Sequence, residues 1–196
     1  MKQLLLATRN AHKTEEIVAL LEGCFKVADL SAFPDAPEVE ETGVTFGENS
    51  TLKAVAISKV SRSLVLADDS GLEVDALQGS PGVYSARFAG PDADDSSNNR
   101  KLLAELAGIP MEQRTARFRC VMVVARSGVA LGEFEGSVEG RILEEPRGTG
   151  GFGYDPLFVP EGHAESFAEL GPGIKNGLSH RARAMKEVVD WLRLTD

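Results

Sequence analysis

The sequence has few cysteines and no long apolar run, and each shortage excludes a class of protein. Its two cysteines, Cys24 and Cys120, give no disulfide framework, so a reducing cytoplasm is the expected compartment. The apolar run at the start of the chain is too short for a signal peptide, and runs such as residues 121–125 are far below the ~20 residues of a membrane span. We therefore expect a soluble, cytoplasmic protein with no membrane partner.

Basic residues are also in short supply. The sequence has 21 lysines and arginines against 30 aspartates and glutamates, for a net charge of −9. Binding to a nucleic-acid polymer needs a basic surface that releases counterions, so no such partner is expected. A single nucleotide is compatible with this charge, because its phosphates need only a few local cations. With 42% apolar and 26% charged residues, we predict one globular domain over residues 1–196, made of two lobes.

Hydrophobic patterning predicts an α/β fold with a mixed sheet. Strands are predicted at residues 4–7, 25–28, 64–67, 72–76, 117–124, 129–142 and 157–159, with a hairpin turn at 126–128. Helices are predicted after Asn10, over residues 46–62 behind a Thr45–Glu48 capping box, over 94–107, and after Ser179. Residues 31–44 and 78–93 are predicted loops. A hairpin inserted between crossover strands could separate two lobes by a cleft.

Asp68-Asp69-Ser70-Gly71 is predicted to form a carboxylate turn at the end of the strand over residues 64–67. Ligands of open α/β sheets bind at the carboxyl ends of the strands. Adjacent carboxylates repel each other unless they are solvated or share a cation, and Mg²⁺ takes one or two carboxylates together with phosphate oxygens. A magnesium site and a plain acidic turn fit this pattern equally well.

Two further segments offer groups for a triphosphate. Thr8-Arg9-Asn10-Ala11-His12-Lys13 lies at a strand–helix junction, where backbone N–H groups bind anions and a lysine is unfavourable without one. Glu41 lies in an acidic loop, and Asn49 and Lys53 follow on one face of a predicted helix. Taken singly, an ordinary capped helix and a solvated surface helix explain these segments better. No P-loop spacing is present.

Two segments in the second half of the chain offer groups for a base. In residues 150–156 Phe152 stands between glycines, so a base can stack on its ring while Asp155 accepts a ring N–H. A tight loop with a core aromatic is an equally good reading. Lys175 precedes a helix that opens with Ser179-His180-Arg181, and cations at a helix start conflict with the dipole unless a ligand compensates. This cluster favours a ligand site.

Together and in this order, these segments resemble the inosine triphosphate pyrophosphatase family. The matching stretches are residues 7–13, 41–49, 67–72, 82–87, 151–156 and 179–181. The resemblance implies a long mixed sheet flanked by helices, a nucleotide cleft between two lobes, and a homodimer. It also implies Mg²⁺-dependent cleavage of non-standard purine nucleoside triphosphates (ITP, dITP, XTP, dXTP) between the α and β phosphates, giving a monophosphate and pyrophosphate.

The resemblance further implies roles for individual residues. Asp69 would orient or deprotonate the attacking water with the support of Asp68, and Glu41 and Asp69 would bind the metal. The substrate-binding residues would be Thr8, Arg9, Asn10, Ala11, His12, Lys13 and Lys53 at the triphosphate, Ser70 beside it, and Phe152, Gly153, Tyr154, Asp155, Lys175, His180 and Arg181 around the base and ribose.

Base selection has a physical reason in this scheme. His180 or Arg181 would donate to the C6 carbonyl of hypoxanthine or xanthine, whereas the amino group of adenine would leave those donors unpaired, at ~1–3 kcal/mol. Two rival functions stay open: another nucleotide hydrolase, such as a terminal phosphatase or a pyrophosphatase for modified pyrimidine triphosphates, and a non-catalytic nucleotide-binding module. The paired carboxylates argue against the module, because a binder of triphosphate gains little from extra anions.

Overall fold

The computed structural model describes residues 3–21 and 25–195, so Cys24 lies outside the described residues. Within these ranges the strands are β1 (Gln3–Leu6), β2 (Lys26–Asp29), β3 (Leu64–Val74), β4 (Thr115–Arg126), β5 (Val129–Ile142) and β6 (Phe158–Pro160). The α-helices are α1 (Ala11–Leu21), α2 (Phe46–Val60), α3 (Asp95–Glu105), α4 (Phe167–Leu178) and α5 (His180–Leu194). None of the helices described is long and apolar enough to cross a membrane.

The six strands form one mixed sheet in the order β2-β1-β3-β4-β5-β6. β1 pairs in parallel with β2 and with β3, and β5 pairs antiparallel with β6. β4 and β5 are joined by Ser127 and Gly128, whose φ angles of 52° and 81° match the left-handed pair of a type I′ hairpin turn. The predicted mixed sheet and the predicted hairpin are confirmed.

The chain divides into two compact units. Unit 1 comprises the described residues of Met1–Asp69, Cys120–Gly136 and Arg181–Asp196. Unit 2 comprises Ser70–Arg119 and Ser137–His180. β3, β4 and β5 each contribute residues to both units. The nucleotide cleft between two lobes stays a prediction.

In unit 1 helices cover both faces of the sheet. Alternate residues of a strand point to opposite faces, and Leu4 and Leu66 pack on one face in a core that includes Ile17 of α1 and Val188 of α5. On the other face, Leu5, Ala7, Val65 and Ala67 pack in a second core with Ala54 and Ile57 of α2. Burial on both faces explains why β1 and the start of β3 are continuous apolar runs.

In unit 2 the two faces of the sheet differ. Leu72 and Val74 of β3 pack in a core with Leu102 and Leu106 at α3. The residues that alternate with them face a network of ion pairs. Its members are Glu73, Asp75, Arg117, Arg119 and Glu139, with Nη1 of Arg117 3.0 Å from Oδ1 of Asp75 and Nη1 of Arg119 3.2 Å from Oε1 of Glu73. One face is therefore apolar and the other charged.

The predicted carboxylate turn is wrong, because β3 runs without a break from Leu64 to Val74 and holds Asp68 and Asp69 inside the strand. The two predicted strands at residues 64–67 and 72–76 are one element. Asp-Asp-Ser-Gly has the composition of a turn, but Lys13 and Arg181 contact Asp68 here, and Lys53 and the amide of Asn49 contact Asp69. Tertiary contacts therefore override the local preference.

Two other elements differ from the prediction. α4 was not predicted, because its sequence contains Pro172, and Gly171 has a non-helical φ of 74° that interrupts the helix. The predicted loop over residues 78–93 contains a 3₁₀ helix, Gly82–Arg87. The capping box of Thr45 and Glu48 at the start of α2 is confirmed.

Candidate active site

Asp68 lies on the face of β3 that packs against α1 and α5. Its Oδ2 is 3.0 Å from Nζ of Lys13 and 3.1 Å from Nη2 of Arg181, and the guanidinium of Arg181 also donates to Glu16. Arg181 is 1% exposed and Asp68 3% exposed. Lys13 and Arg181 thus contact Asp68 and Glu16 in a compact cluster around the buried side chains of Asp68 and Arg181.

Burial and the neighbouring cations act in opposite directions on the pKa of Asp68. Burial would raise the pKa of Asp68, but the charges of Lys13 and Arg181 outweigh burial and hold it well below its usual value. Burial would lower the pKa of Arg181, and Asp68 and Glu16 keep it above its usual value. Buried Cys120 lies close to these charges, and burial, reinforced by the charge of Asp68, raises the pKa of its thiol to about 12. The ion pairs are permanent near neutral pH, and Cys120 stays an unreactive thiol.

Asp69 is the next residue of the strand and points to the opposite face, toward α2. Nδ2 of Asn49 donates to its Oδ2 at 3.1 Å, and Nζ of Lys53 lies 3.6 Å from its Oδ1. The same ammonium is 3.0 Å from Oε1 of Glu41 and donates to the backbone carbonyl of Asp68 at 2.8 Å. Oδ1 of Asn49 accepts from the backbone N–H of Gly43 at 2.8 Å, which fixes the chain that carries Glu41.

The α2 face carries more negative than positive charge. Asp69 and Glu41 share the single ammonium of Lys53, which leaves one negative charge in excess. Burial raises the pKa of Asp69, Lys53 acts in the opposite direction, and the charge of Glu41 raises it further, so that it lies above its usual value. Burial would lower the pKa of Lys53, but its carboxylate neighbours raise it. Another cation would relieve this excess.

Protein side chains alone do not enclose a metal site. Within residues 3–21 and 25–195, no group of three or more His, Cys, Asp or Glu side chains is arranged to hold a metal ion. Mg²⁺ does not need such a group, because it is bound by one or two carboxylates and takes further oxygens from phosphate and water. The two carboxylates at Lys53 fit that requirement.

The Thr8–Lys13 segment forms the junction between β1 and α1. Oδ1 of Asn10 accepts from the backbone N–H groups of His12 and Lys13, so the predicted helix cap is confirmed. Oγ1 of Thr8 accepts from the N–H of Asn10 at 3.1 Å. Arg9, Ala11 and His12 are exposed, and Lys13 turns inward to Asp68. Their contact with a triphosphate stays a prediction.

In unit 2, Phe152, Asp155 and Lys175 lie together. Oδ2 of Asp155 accepts from the backbone N–H of Phe152 at 2.9 Å and from Nζ of Lys175 at 2.6 Å. Nζ of Lys175 lies 4.7 Å from the centroid of the Phe152 ring. Asp155 and Lys175 are buried, and Phe152 is half-buried. Asp155 therefore already holds two groups of its own loop, and its contact with a base stays a prediction.

The other predicted base-site residues have different neighbours. The hydroxyl of Tyr154 donates to the carbonyl of Ser85 at 2.8 Å. His180 stacks on Phe118 with ring centroids 4.9 Å apart and is 5% exposed. Ser70 is half-buried at the start of unit 2. The roles predicted for Tyr154, His180 and Ser70 stay predictions.

Sequence reasoning missed several residues that hold this arrangement. Asn49 was predicted only to share a helix face with Lys53, whereas it holds Asp69 on one side and Gly43 on the other. Ser85 accepts from the backbone N–H of Leu72 and donates to the carbonyl of Gly82, and so fastens the 3₁₀ helix to β3. The position of Asn49 four residues before Lys53 could have indicated its role. No local signal marks Ser85.

Comparison with known proteins places this chain in a family. The model of the Ham1 family matches residues 4–191. A dITP/XTP pyrophosphatase from Desulforamulus reducens is 51% identical over 191 residues, covering 97% of this chain and 95% of that protein. One from Geobacillus kaustophilus is 52% identical, covering 96% and 93%. A HAM1 protein structure from Coxiella burnetii has a TM-score of 0.89 and 38% identity, covering 98% and 99%. The resemblance and the fold inferred from the sequence are thereby confirmed, and the chain belongs to the Ham1 family.

Proposed function

We propose that this protein hydrolyses non-standard purine nucleoside triphosphates, namely ITP, dITP, XTP and dXTP, to the monophosphate and pyrophosphate. The observation that carries the proposal is the excess negative charge at Asp69 and Glu41 around Lys53. A site that only bound triphosphate would gain nothing from this excess, whereas a site that holds a metal ion needs it. The name dITP/XTP pyrophosphatase, borne by the relatives, agrees with this reading.

We propose Mg²⁺ as the cofactor, held by Asp69 and Glu41. When bound, Mg²⁺ would neutralise charge on the phosphate oxygens and on the leaving pyrophosphate. Its positive charge would also favour the ionised form of Asp69, which burial disfavours. The donor set consists of oxygens alone, as Mg²⁺ requires.

The side chains of the chain perform the remaining steps. Asp69 orients the attacking water and accepts its proton, and Asn49 fixes the orientation of that carboxylate through its hydrogen bond to Oδ2. Lys13 and Lys53 supply positive charge for the triphosphate, and Asp68 keeps Lys13 in place at 3.0 Å. Asp68 is thus a positioning residue in this scheme, because its Oδ2 is engaged by Lys13 and by the buried Arg181.

The base is proposed to stack on Phe152, beside the ammonium of Lys175. Stacking on an aromatic ring contributes ~1–3 kcal/mol per base and tolerates any base. Selection for a 6-oxo purine therefore requires donors such as His180, as the sequence predicted. A homodimeric state and a cytoplasmic location belong to the same proposal and rest on the family resemblance and the cysteine content.

A substrate panel tests the proposed function. Purified protein with Mg²⁺ is given ITP, dITP, XTP, GTP and ATP, and pyrophosphate and nucleotide products are quantified. We expect pyrophosphate with IMP from ITP, and kcat/KM for ITP and XTP at least ~100-fold above that for ATP. Orthophosphate with IDP would identify a terminal phosphatase instead. Binding without any product would favour the non-catalytic module, and chelation of Mg²⁺ that left turnover unchanged would contradict the metal assignment.

A further inference from the structure

Phe152 follows Gly151 and precedes Gly153, and both glycines have positive φ angles, of 71° and 63°. Such a segment has many conformations in isolation, because glycine lacks the Cβ that restricts the backbone. A stacking platform for a base must nevertheless have a fixed position before the base arrives, since ordering it on binding would reduce the affinity. The structure contains the side chains that fix it.

Two side chains of α3 hold the peptide groups on both sides of Gly153. Oδ2 of Asp95 accepts from the Gly153 N–H at 2.6 Å, and Nδ2 of Asn99 donates to the Gly153 carbonyl at 2.9 Å. Asp95 and Asn99 are four residues apart on the helix, so their side chains share one face. The Gly153 N–H belongs to the peptide that follows Phe152. The peptide that precedes Phe152 is held by Asp155, and the backbone of Phe152 is therefore fixed at both ends.

α3 is itself anchored by contacts other than those with Gly153. Asp94 and Ser97 form a capping box at its first turn. Asn98 accepts from the Ala89 N–H and donates to the Ala86 carbonyl, and Leu102 is fully buried in the unit 2 core. The helix is thus a fixed support, and the loop takes its position from it.

We propose that Asp95 and Asn99 are positioning residues for base binding, acting through the two peptide groups of Gly153 on the ring of Phe152. The proposal rests on the proposed function, in which Phe152 stacks on the base. In this proposal α3 carries no substrate contact but affects the affinity for the nucleoside through the position of Phe152. Neither Asp95 nor Asn99 touches the substrate in this scheme.

The side-chain oxygen of Asn99 limits the contribution of this residue to stability. Its Oδ1 is buried and has no hydrogen-bond partner among the described residues. A buried acceptor without a donor destabilises the folded state. Replacing Asn99 by alanine removes that unfavourable group together with the bond to Gly153, so we do not expect a lower thermal midpoint. A loss of base affinity without a loss of stability separates positioning from a structural role.

The test compares Asp95→Ala, Asn99→Ala and Asn99→Asp with the wild type. Steady-state kinetics with ITP and Mg²⁺ is expected to show KM raised roughly fivefold in each variant, with kcat changed less than about threefold, because base stacking is the same in the ground state and the transition state. Calorimetry is expected to show IMP binding weakened by a similar factor and pyrophosphate binding unchanged. Asp95→Asn keeps an acceptor oxygen and is expected to restore KM. Ser96→Ala, an exposed neighbour on the same helix, is the matched control.

The outcomes separate the possible failures. Wild-type protein that releases no pyrophosphate from ITP or XTP would overturn the proposed function. Active wild type with unchanged KM in the variants would overturn only the positioning role. Equal loss of IMP and pyrophosphate binding, or a lower kcat with unchanged KM, would indicate general disruption and would also overturn it. Should Asp95→Ala fail to fold, Asn99→Ala decides the question, because it removes the donor to the Gly153 carbonyl without adding a charge.

Discussion

The two faces of β3 in unit 1 carry adjacent carboxylates in opposite electrostatic surroundings. On the α1 and α5 side, Asp68 contacts Lys13 and Arg181, and Arg181 also pairs with Glu16. On the α2 side, Asp69 and Glu41 share one lysine, Lys53. The pKa of Asp68 is accordingly lowered and that of Asp69 raised, although burial raises the pKa of both.

This difference shows that adjacent acidic residues need not act as a pair. In a strand, neighbours point to opposite faces, so the carboxylates of Asp68 and Asp69 have different nearest partners, although Lys53 also acts on Asp68 and Lys13 on Asp69. Buried carboxylates with a raised pKa are concentrated at functional sites, and Asp69 has a raised pKa whereas Asp68 does not. We therefore expect Asp69, on the face with the excess negative charge, to be the carboxylate that performs the proposed chemistry.

The largest effect is expected from Asp69→Asn. Pyrophosphate release from ITP should fall at least ~100-fold, because the change removes both the proton acceptor and a metal ligand. The thermal midpoint should not fall with it. A carboxyl whose folded pKa is raised loses stability as pH rises above its ordinary value of ~3.9, so the neutral amide avoids that loss at pH 7.

Turnover and a thermal scan check the two parts of this prediction. Both start from metal-free protein, to which Mg²⁺ is then added. Glu41→Gln, on the same face, is expected to raise the Mg²⁺ concentration needed for half-maximal rate. Full turnover by Asp69→Asn would show that the charge-rich face is not the reactive one.

Asp68→Asn is expected to lower stability and, because Asp68 positions Lys13, to lower turnover of ITP less than Asp69→Asn does. The change leaves Lys13 and Arg181 without their shared carboxylate in a buried place, and breaking such a pair costs about 3–5 kcal/mol. Because the folded pKa of Asp68 is lowered, its contribution is present above pH ~4 and is lost as the pH falls through the folded pKa. The stability difference between wild type and variant should therefore shrink below pH ~4.

Urea denaturation of metal-free protein at pH 7 and at pH 3.5 measures this difference. Glu15→Gln, an exposed acid on α1, provides the control and should change stability by less than ~0.5 kcal/mol. An Asp68→Asn protein as stable as the control would mean that the ion pairs of Asp68 with Lys13 and Arg181 do not support the fold.

Local sequence patterns predicted much of the fold. Short apolar runs located β1, β2 and β6 to within one residue, and the capping box of Thr45 and Glu48 predicted the start of α2. These features depend on neighbours in the chain, so the sequence displays them directly. The interruption of α4 at Gly171 and Pro172 resembles the end of a helix, and no local signal shows that a further turn carrying Lys175 follows.

The sequence indicated several residues of the candidate site but not how they are arranged. The sequence indicated Asp68, Asp69, Lys13 and Lys53, but not that a continuous strand sends the two aspartates to opposite faces. It also gave no indication of Asp95 and Asn99, whose bonds to Gly153 span 58 and 54 residues. Contacts of this separation depend on the packing of whole elements, which local periodicity does not encode.

The smallest effect is expected from Asp75→Asn. This variant tests whether a cluster of charged side chains is by itself enough to form an active site. Asp75 accepts from Oγ1 of Thr115 at 2.6 Å and pairs with Arg117 in the ion-pair network on the sheet of unit 2. Its side chain is 44% exposed, so water and salt screen the pair. Hydrogen bonds from Thr115 and Arg117 lower the pKa of Asp75, and the contribution of Asp75 to stability is lost as the pH falls below the ordinary pKa of an aspartate.

We expect stability at pH 7 to fall by less than ~1 kcal/mol and turnover of ITP to stay within about twofold. Thermal scans at low and high salt, with turnover measured alongside, check both values. A large loss of turnover would mean that charge balance and burial at β3 do not by themselves distinguish a reactive carboxylate from a structural one.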